Sequence, residues 1–387
     1  MDRTSRPIDV FGRAGLLART LPGYEYRPEQ ERMMAAVEAA IAHSDVCLIE
    51  GGTGVGKTLA YLVPTLLSGR QTVVATGTRT LMDQIARNDV PFLEETLGVP
   101  FKSAVLKGRS NYVCLARLKA ARDEVSLFDR GARRDLVRIR RWASATTTGD
   151  LAELTDLPEG ADVLRRVACL PDSCEARRCP EYAKCFLYAA RARAREADLV
   201  ITNHHLFFAD LGSADEAGGA ILPPEATLVL DEAHGLEDVA AEFLGDSVSS
   251  LQVAILARDA TTLASAADPT SGRALAEAAG RIGAGFQTAG ALLAPRDGRF
   301  EVAVEPLADA VRAAWHAIDI DLEAVAFEAR TLAESIERET DLHLRAAAVR
   351  SSLAAVLSAE PAGRVRIADR RGRTFALAAL PIEVAAE

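Results

Sequence analysis

The residues best suited to chemistry in this chain fall in one short run, Glu50-Gly-Gly-Thr-Gly-Val-Gly-Lys-Thr58. Gly51, Gly52, Thr53, Gly54, Val55, Gly56, Lys57 and Thr58 follow the P-loop spacing, G-x4-G-K-T. Glycines let backbone N–H groups turn inward around phosphate oxygens. A helix that starts at the lysine adds the positive end of its dipole. Lys57 would reach the β- and γ-phosphates of a nucleotide, and the Thr58 hydroxyl would hold Mg²⁺. A second acidic group stands far downstream, Asp231-Glu-Ala-His234, after the apolar run Thr227–Leu230. Asp231 would hold the metal, and Glu232 would orient or deprotonate an attacking water. Lys57, Asp231 and Glu232 are therefore the expected catalytic set for nucleotide hydrolysis.

Cysteine is the third group. Five of the six cysteines lie between Cys114 and Cys185, with Cys174-x4-Cys179-x5-Cys185 at the end. The N-terminus has no apolar signal core and no run approaches a membrane span, so a cytoplasmic setting is expected, where disulfides are rare. Four thiolates then hold either an iron–sulfur cluster or a structural zinc. Paired C-x2-C knuckles would favour zinc, and this spacing does not form them. Cys47, in the run before the P-loop, reads as a small core residue.

These groups need elements that bring them together. Glu31–Ala42, with Met33, Val37 and Ile41 every fourth residue, predicts an amphipathic helix, and Pro28 suits its first turn. Val46–Glu50 predicts a buried strand leading into the P-loop and a following helix. Thr72–Ala75, Ser103–Leu106, Asp198–Asn203 and Thr227–Asp231 predict further strands, with a helix over Thr78–Arg87. Such alternation implies a parallel sheet with helices on both faces. Two stretches interrupt it. The first, from Lys107 to about Arg195, carries the cysteines. The second, from about 237 to 365, is rich in alanine and leucine with helical spacing. Turns are expected at Ala267–Gly272 and Pro295–Gly298, and a hairpin-like turn at Arg370–Arg373 could return the chain to the sheet.

The 387 residues leave room for one large or two to three ordinary domains. A net charge of −10 argues against a generic nucleic-acid coat, but it is unevenly spread. Lys102–Arg195 holds 20 basic and 12 acidic residues, whereas Glu237–Arg364 holds 11 and 20. The cysteine-bearing stretch is the one with the electrostatics to meet phosphate. Arg109, Arg117, Arg177 and Arg178 could line a single-strand groove, with Tyr112, Tyr182, Phe186 and Tyr188 stacking on bases.

In order along the chain, Gln30, the P-loop, Thr76-x-Thr78, Asn203-His204 and Asp231–His234 resemble the motifs of superfamily 2 helicases. The cysteines narrow the resemblance to the iron–sulfur helicases similar to XPD and DinG, the DinG-like branch fitting best. The resemblance implies an α/β fold: a RecA-like P-loop lobe with a parallel sheet, interrupted by an iron–sulfur domain and a helical arch. It divides the chain into lobe 1 at 1–106, the cluster insertion at 107–197, lobe 1 again at 198–236, the arch at 237–364 and a return to lobe 1 at 365–387. It implies ATP, Mg²⁺ and a [4Fe–4S] cluster held by Cys114, Cys174, Cys179 and Cys185, with Cys169 spare. Gln30 would read the adenine edge, His234 would join the nucleotide set, and Thr76 and Thr78 would meet the DNA backbone. His204 and His205 receive no role.

The activity implied is an ATP-dependent DNA helicase moving 5′→3′ on single-stranded or forked DNA in repair or replication. The second motor lobe of that family is not found before Glu387, so slow hydrolysis without unwinding is expected of this chain alone, with a separate second-lobe chain as a possible partner. Two other readings stay open: a non-catalytic nucleotide- or nucleic-acid-binding module, and a P-loop ATPase with a zinc-stabilised insertion.

Overall fold

The computed structural model describes residues 6–21, 23–124, 130–158, 161–170, 174, 176–213, 220–293, 296–302, 309–336, 340–357, 363–372 and 374–381. The chain divides into two compact units, residues 1–236 and 237–387.

The first unit is built on a parallel sheet. Its strands are β1 (Thr72–Thr76), β2 (Ser103–Val105), β3 (Leu199–Asn203) and β4 (Thr227–Leu230), in the order β2-β3-β1-β4. Register pairs Thr76 with Asn203 and Ala75 with Leu230, so the C-terminal ends of β1, β3 and β4 lie level. The central strands are apolar on both faces: Val73, Val74, Ala75, Leu199, Val200 and Ile201 are all buried. Strands sandwiched between layers need such continuous apolar runs. The helix Pro28–His43 opens with Pro28 in its first turn, where a missing N–H leaves no bond unmade. It packs on the helix Lys57–Leu67, whose residues Ala60–Leu67 are all buried. Thr78 caps the helix Arg79–Gln84, its hydroxyl accepting from Leu81 N at 3.2 Å.

One predicted strand is absent. Val46–Glu50 pairs with no strand, and Val46, Cys47 and Leu48 are exposed. Ser44 ends the preceding helix in a left-handed turn at φ 57°, and β4 stays an edge strand. Cys47 is thus not a core residue. A short apolar run carries no cue of its own to a ladder partner.

The cysteine-bearing stretch has its own small core. Val113, Leu118, Ile139, Val163 and Val167 pack between the helices Leu115–Glu124, Arg130–Ala143 and Asp162–Val167. Two antiparallel bridges, Tyr112–Asp150 and Val113–Ala168, tie it together.

The second unit packs the helices Ser250–Ser265, Arg273–Leu293, Asp309–Ser335 and Leu342–Leu357 with an antiparallel sheet. That sheet has β5 (Asp246–Ser249), β6 (Gly298–Glu301), β7 (Arg364–Arg371) and β8 (Thr374–Pro381), in the order β5-β8-β7-β6. The expected hairpin forms, with Arg371 opposite Thr374. Among the described residues the expected return of 365–387 to the parallel sheet does not occur, since β7 and β8 belong to this second sheet. β8 pairs with β5 instead, because alternating small apolar residues such as Leu377 and Ala379 complete the helical core. The turn expected at 267–272 lies between two helices; part of that at 295–298 and residues 382–387 fall outside the described residues.

Candidate nucleotide site

The sheet ends and one helix start converge at the P-loop. Gly56 sits at φ 83°, and a Cβ there would meet Gln30 Nε2 at 2.2 Å. Any other residue would clash and strain the turn. Gln30, buried to 5% exposure, donates from Nε2 to the Gly56 carbonyl at 3.0 Å. Arg27 donates to the Gly54 carbonyl. Thr53 and Gly52 face solvent, while Val55, Lys57 and Thr58 are half-buried.

Across from the loop, Asp231 follows β4 and its N–H bonds the Ala75 carbonyl at 2.8 Å. Lys57 Nζ donates to Glu232 Oε1 at 3.3 Å. Glu232 Oε2 lies 3.3 Å from His234 Nδ1. Glu232 adopts a left-handed backbone at φ 55°, a costly conformation for a non-glycine residue that gathers at functional sites. Tyr61, one turn into the P-loop helix, donates its hydroxyl to Asp231 Oδ2 at 3.0 Å. Burial pushes the Tyr61 phenol well above its usual range, and the Asp231 carboxylate adds to that. The two halves of the predicted catalytic set, Lys57 and the pair Asp231–Glu232, are thus brought together.

The neighbouring strand ends add polar groups. Thr76 Oγ1 donates to the Thr78 carbonyl at 3.0 Å, and Asn203 Oδ1 accepts from Leu206 N at 2.9 Å. His204 is wholly buried, its ring set beside the backbone of Asp231 and Ala75. A Cβ placed on Gly77 would lie 3.8 Å from both His204 Cε1 and Glu232 Cβ. Burial lowers the His204 pKa, which favours the neutral ring.

A DEAD/DEAH box helicase domain matches residues 27–127. The ATP-dependent DNA helicase YoaA of Haemophilus influenzae is 38% identical over 259 residues, 67% of this chain and 40% of that protein. The ATP-dependent helicase DinG of Mycobacterium tuberculosis is 35% identical over 259 residues, 61% of this chain and 38% of its own. A protein named 3′-5′ exonuclease DinG in Bacillus subtilis is 34% identical over 247 residues, 62% of this chain and 26% of its own. Over these stretches the chain is similar to the DinG-like helicases. It spans 26–40% of the length of these relatives.

In this DinG-like chain the cysteines behave differently from the nucleotide groups. Cys114, Cys174 and Cys185 are half-buried against one apolar cluster that includes buried Cys169. Cys179 is half-buried as well, and its charge acts on Cys114. Burial raises the Cys114 thiol. Cys169, assigned as spare, shares a hydrogen bond with Cys174, which lowers the Cys174 thiol and holds the Cys169 proton on. Among the described residues no three His, Cys, Asp or Glu side chains form a group able to hold a metal ion. Residues 171–173 and 175, around Cys174, lie outside the described residues.

Two of the predicted stacking residues are structural. Tyr112 is buried and its hydroxyl accepts from Lys107 N at 3.1 Å. Phe186 packs into the cores on both sides of it. Tyr182 and Tyr188 remain half-buried, with ring centroids 4.7 Å apart. Arg117 donates to the Arg166 carbonyl at 3.0 Å.

Sequence reading missed three contributors. Tyr61 is one, and its i+3 spacing from Thr58 was the available signal. Arg27 on the loop is another. Lys107 is the third: at 6% exposure its Nζ reaches Asp150 at 2.7 Å and Asp83 at 3.3 Å. That ion pair joins the cysteine stretch to the helix after β1. No helix among the described residues is long and apolar enough to cross a membrane.

Proposed function

We propose that this chain is the nucleotide-hydrolysing part of an ATP-dependent DNA helicase of DinG type, moving 5′→3′ on single-stranded DNA in repair or replication. The observation that carries the proposal is the 3.3 Å contact between Lys57 and Glu232. It joins the phosphate-binding loop to the acidic turn. Lys57 exchanges Glu232 for phosphate oxygens when ATP binds. The freed Glu232 carboxylate then holds the attacking water and takes its proton. Thr58 and Asp231 would hold Mg²⁺, which when bound neutralises charge on the β- and γ-phosphates. Gln30 and Arg27 keep the loop open by holding its carbonyls outward.

Cys114, Cys174, Cys179 and Cys185 would hold a [4Fe–4S] cluster, supplying a structural crosslink when bound. The fit rests on charge as well as on thiols. Arg109 and Arg191 act on Cys174, and Arg191 Nε is buried without a hydrogen-bond partner among the described residues. A thiolate-ligated cluster is anionic and suits such surroundings. Exposed Thr78 would meet the DNA backbone, whereas Thr76 is wholly buried and would act only by holding the Thr78 carbonyl. The basic residues of the cysteine stretch would extend the track. The cytoplasm is the setting in which these thiols stay reduced.

Phosphate release with and without single-stranded DNA tests the proposal, with Lys57→Ala as the null. Stimulation by DNA that disappears in the variant supports it; hydrolysis indifferent to Lys57 overturns it. Iron and sulfide in anaerobically purified protein support the cluster, and a colourless protein with one zinc per chain overturns that part.

A further inference from the structure

Two expected functional groups, Lys57 and Thr58, share the first turns of one helix with Tyr61. Lys57, Thr58 and Tyr61 share a face, since residues three and four apart on a helix are neighbours. Tyr61 points that face at β4: its hydroxyl donates to Asp231 Oδ2 at 3.0 Å. The Thr58 hydroxyl interacts with the same phenol. Tyr61 therefore bonds one of the side chains expected to hold Mg²⁺ and lies beside the other, from a position that is 3% exposed. Asp231 Oδ1 is occupied in turn by Glu232 N at 3.0 Å. The carboxylate is fixed at both oxygens, one by backbone and one by Tyr61.

We propose that Tyr61 is a positioning residue for the magnesium ion, orienting the Asp231 carboxylate and the Thr58 hydroxyl without touching metal or nucleotide. The inference rests on the nucleotide-site reading above. A carboxylate held at both oxygens loses little freedom on meeting a cation. Groups that hold metal ligands in this way are typically worth about 10- to 100-fold in metal affinity. Magnesium accepts only near-ideal octahedral geometry, so it is the cation most sensitive to a ligand that swings.

The test uses the full chain, a fluorescent ADP analogue and Mg²⁺ as the titrant. Tyr61→Phe keeps the ring and its packing but removes the donor. Its affinity for the analogue in EDTA is expected to equal that of wild type. Its Mg²⁺ midpoint is expected to rise by roughly tenfold. Asp231→Asn, measured alongside, is expected to lose the Mg²⁺ dependence. A wild-type Mg²⁺ midpoint in Tyr61→Phe, with Asp231→Asn impaired, overturns the role of Tyr61 and leaves the nucleotide site standing. Loss of affinity in EDTA also overturns it, because Tyr61 would then be packing alone. A wild-type chain with no Mg²⁺-dependent binding overturns the underlying site reading instead.

Discussion

At the nucleotide site Lys57 and Glu232, 175 residues apart in the chain, meet at 3.3 Å. In the cysteine stretch Cys174 and Cys179, separated by four residues, belong to no metal-ready group among the described residues. The difference lies in what holds each. Parallel ladders fix β1, β3 and β4 residue by residue, so groups at their ends are placed by backbone hydrogen bonds alone. Cys179 and Cys185 sit instead on either side of a three-residue 3₁₀ turn, Tyr182–Lys184, outside any ladder. A sheet can assemble its site before the ligand arrives. Short turns gain their final geometry from the ligand, whose binding free energy is then partly folding free energy.

The largest expected effect tests the first half of that contrast. Glu232→Gln removes the proposed base and the partner that occupies Lys57. Hydrolysis is expected to fall by about 10²–10⁴, while affinity for nucleotide stays level or improves, because Lys57 loses a competing carboxylate. Single-turnover hydrolysis and nucleotide titration separate the two. Unchanged hydrolysis would make the Lys57–Glu232 pair an ordinary ion pair and would remove the functional meaning of the comparison.

The next effect concerns the joint between the two regions. Lys107 follows β2 and holds Asp83 and Asp150 at once, while its N–H bonds the Tyr112 hydroxyl. Truncating one member of a buried ion pair costs about 3–5 kcal/mol. Asp83 is 38% exposed, which places Lys107→Met near the lower bound, about 3 kcal/mol. Urea unfolding reads the loss directly. A loss confined to the cysteine stretch, seen by hydrogen exchange, would sharpen the contrast by showing that the sheet stands without its guest. An unchanged midpoint would show that the triad is not what joins them.

Much of this was legible in the sequence, and the limits have physical causes. β1, β2, β3 and β4 were all readable as apolar runs, and Asp231-Glu232 was readable as an acidic pair at a strand end. Local pattern sufficed for the central strands β1 and β3 because they are buried on both faces, and β2 and β4, half-buried, keep enough of the same apolar run to be read with them. Val46–Ile49 has the same composition yet stays exposed, because strand pairing is decided by a partner that the run does not encode. The stretch Val365–Ile382 was readable as a hairpin but not as part of a second sheet, since Ala376 meets Ser249 across some 127 residues. Tyr61 was hidden by its neighbours. Inside an apolar helix a tyrosine reads as core; its i+3 spacing from Thr58 was the one cue, and the partner of its hydroxyl gives that cue its meaning.

Among the described residues each region also leaves a buried charged group partly unpaired, and the signs are opposite. In the cysteine stretch it is Arg191 Nε; behind the P-loop helix it is Asp89 Oδ2. Burial raises the Asp89 carboxyl from 3.8 to about 6, and its charge acts on Tyr61. The native state therefore binds a proton that the unfolded chain gives up between about pH 4 and pH 6. Stability contributed at Asp89 falls as pH rises through that window, and the full penalty is present above about pH 6. A shift of this size corresponds to roughly 3 kcal/mol before solvent screening, which for a half-buried carboxylate removes a good part of it, and an unpaired asparagine amide would retain some of the rest. Asp89→Asn is thus expected to stabilise the chain by about 1–2 kcal/mol at pH 7 and by little at pH 4. Urea midpoints at the two pH values supply the check. Equal gains at both would mean that packing, not charge, separates the variants, and a loss at pH 7 would mean that the carboxylate has a stabilising partner.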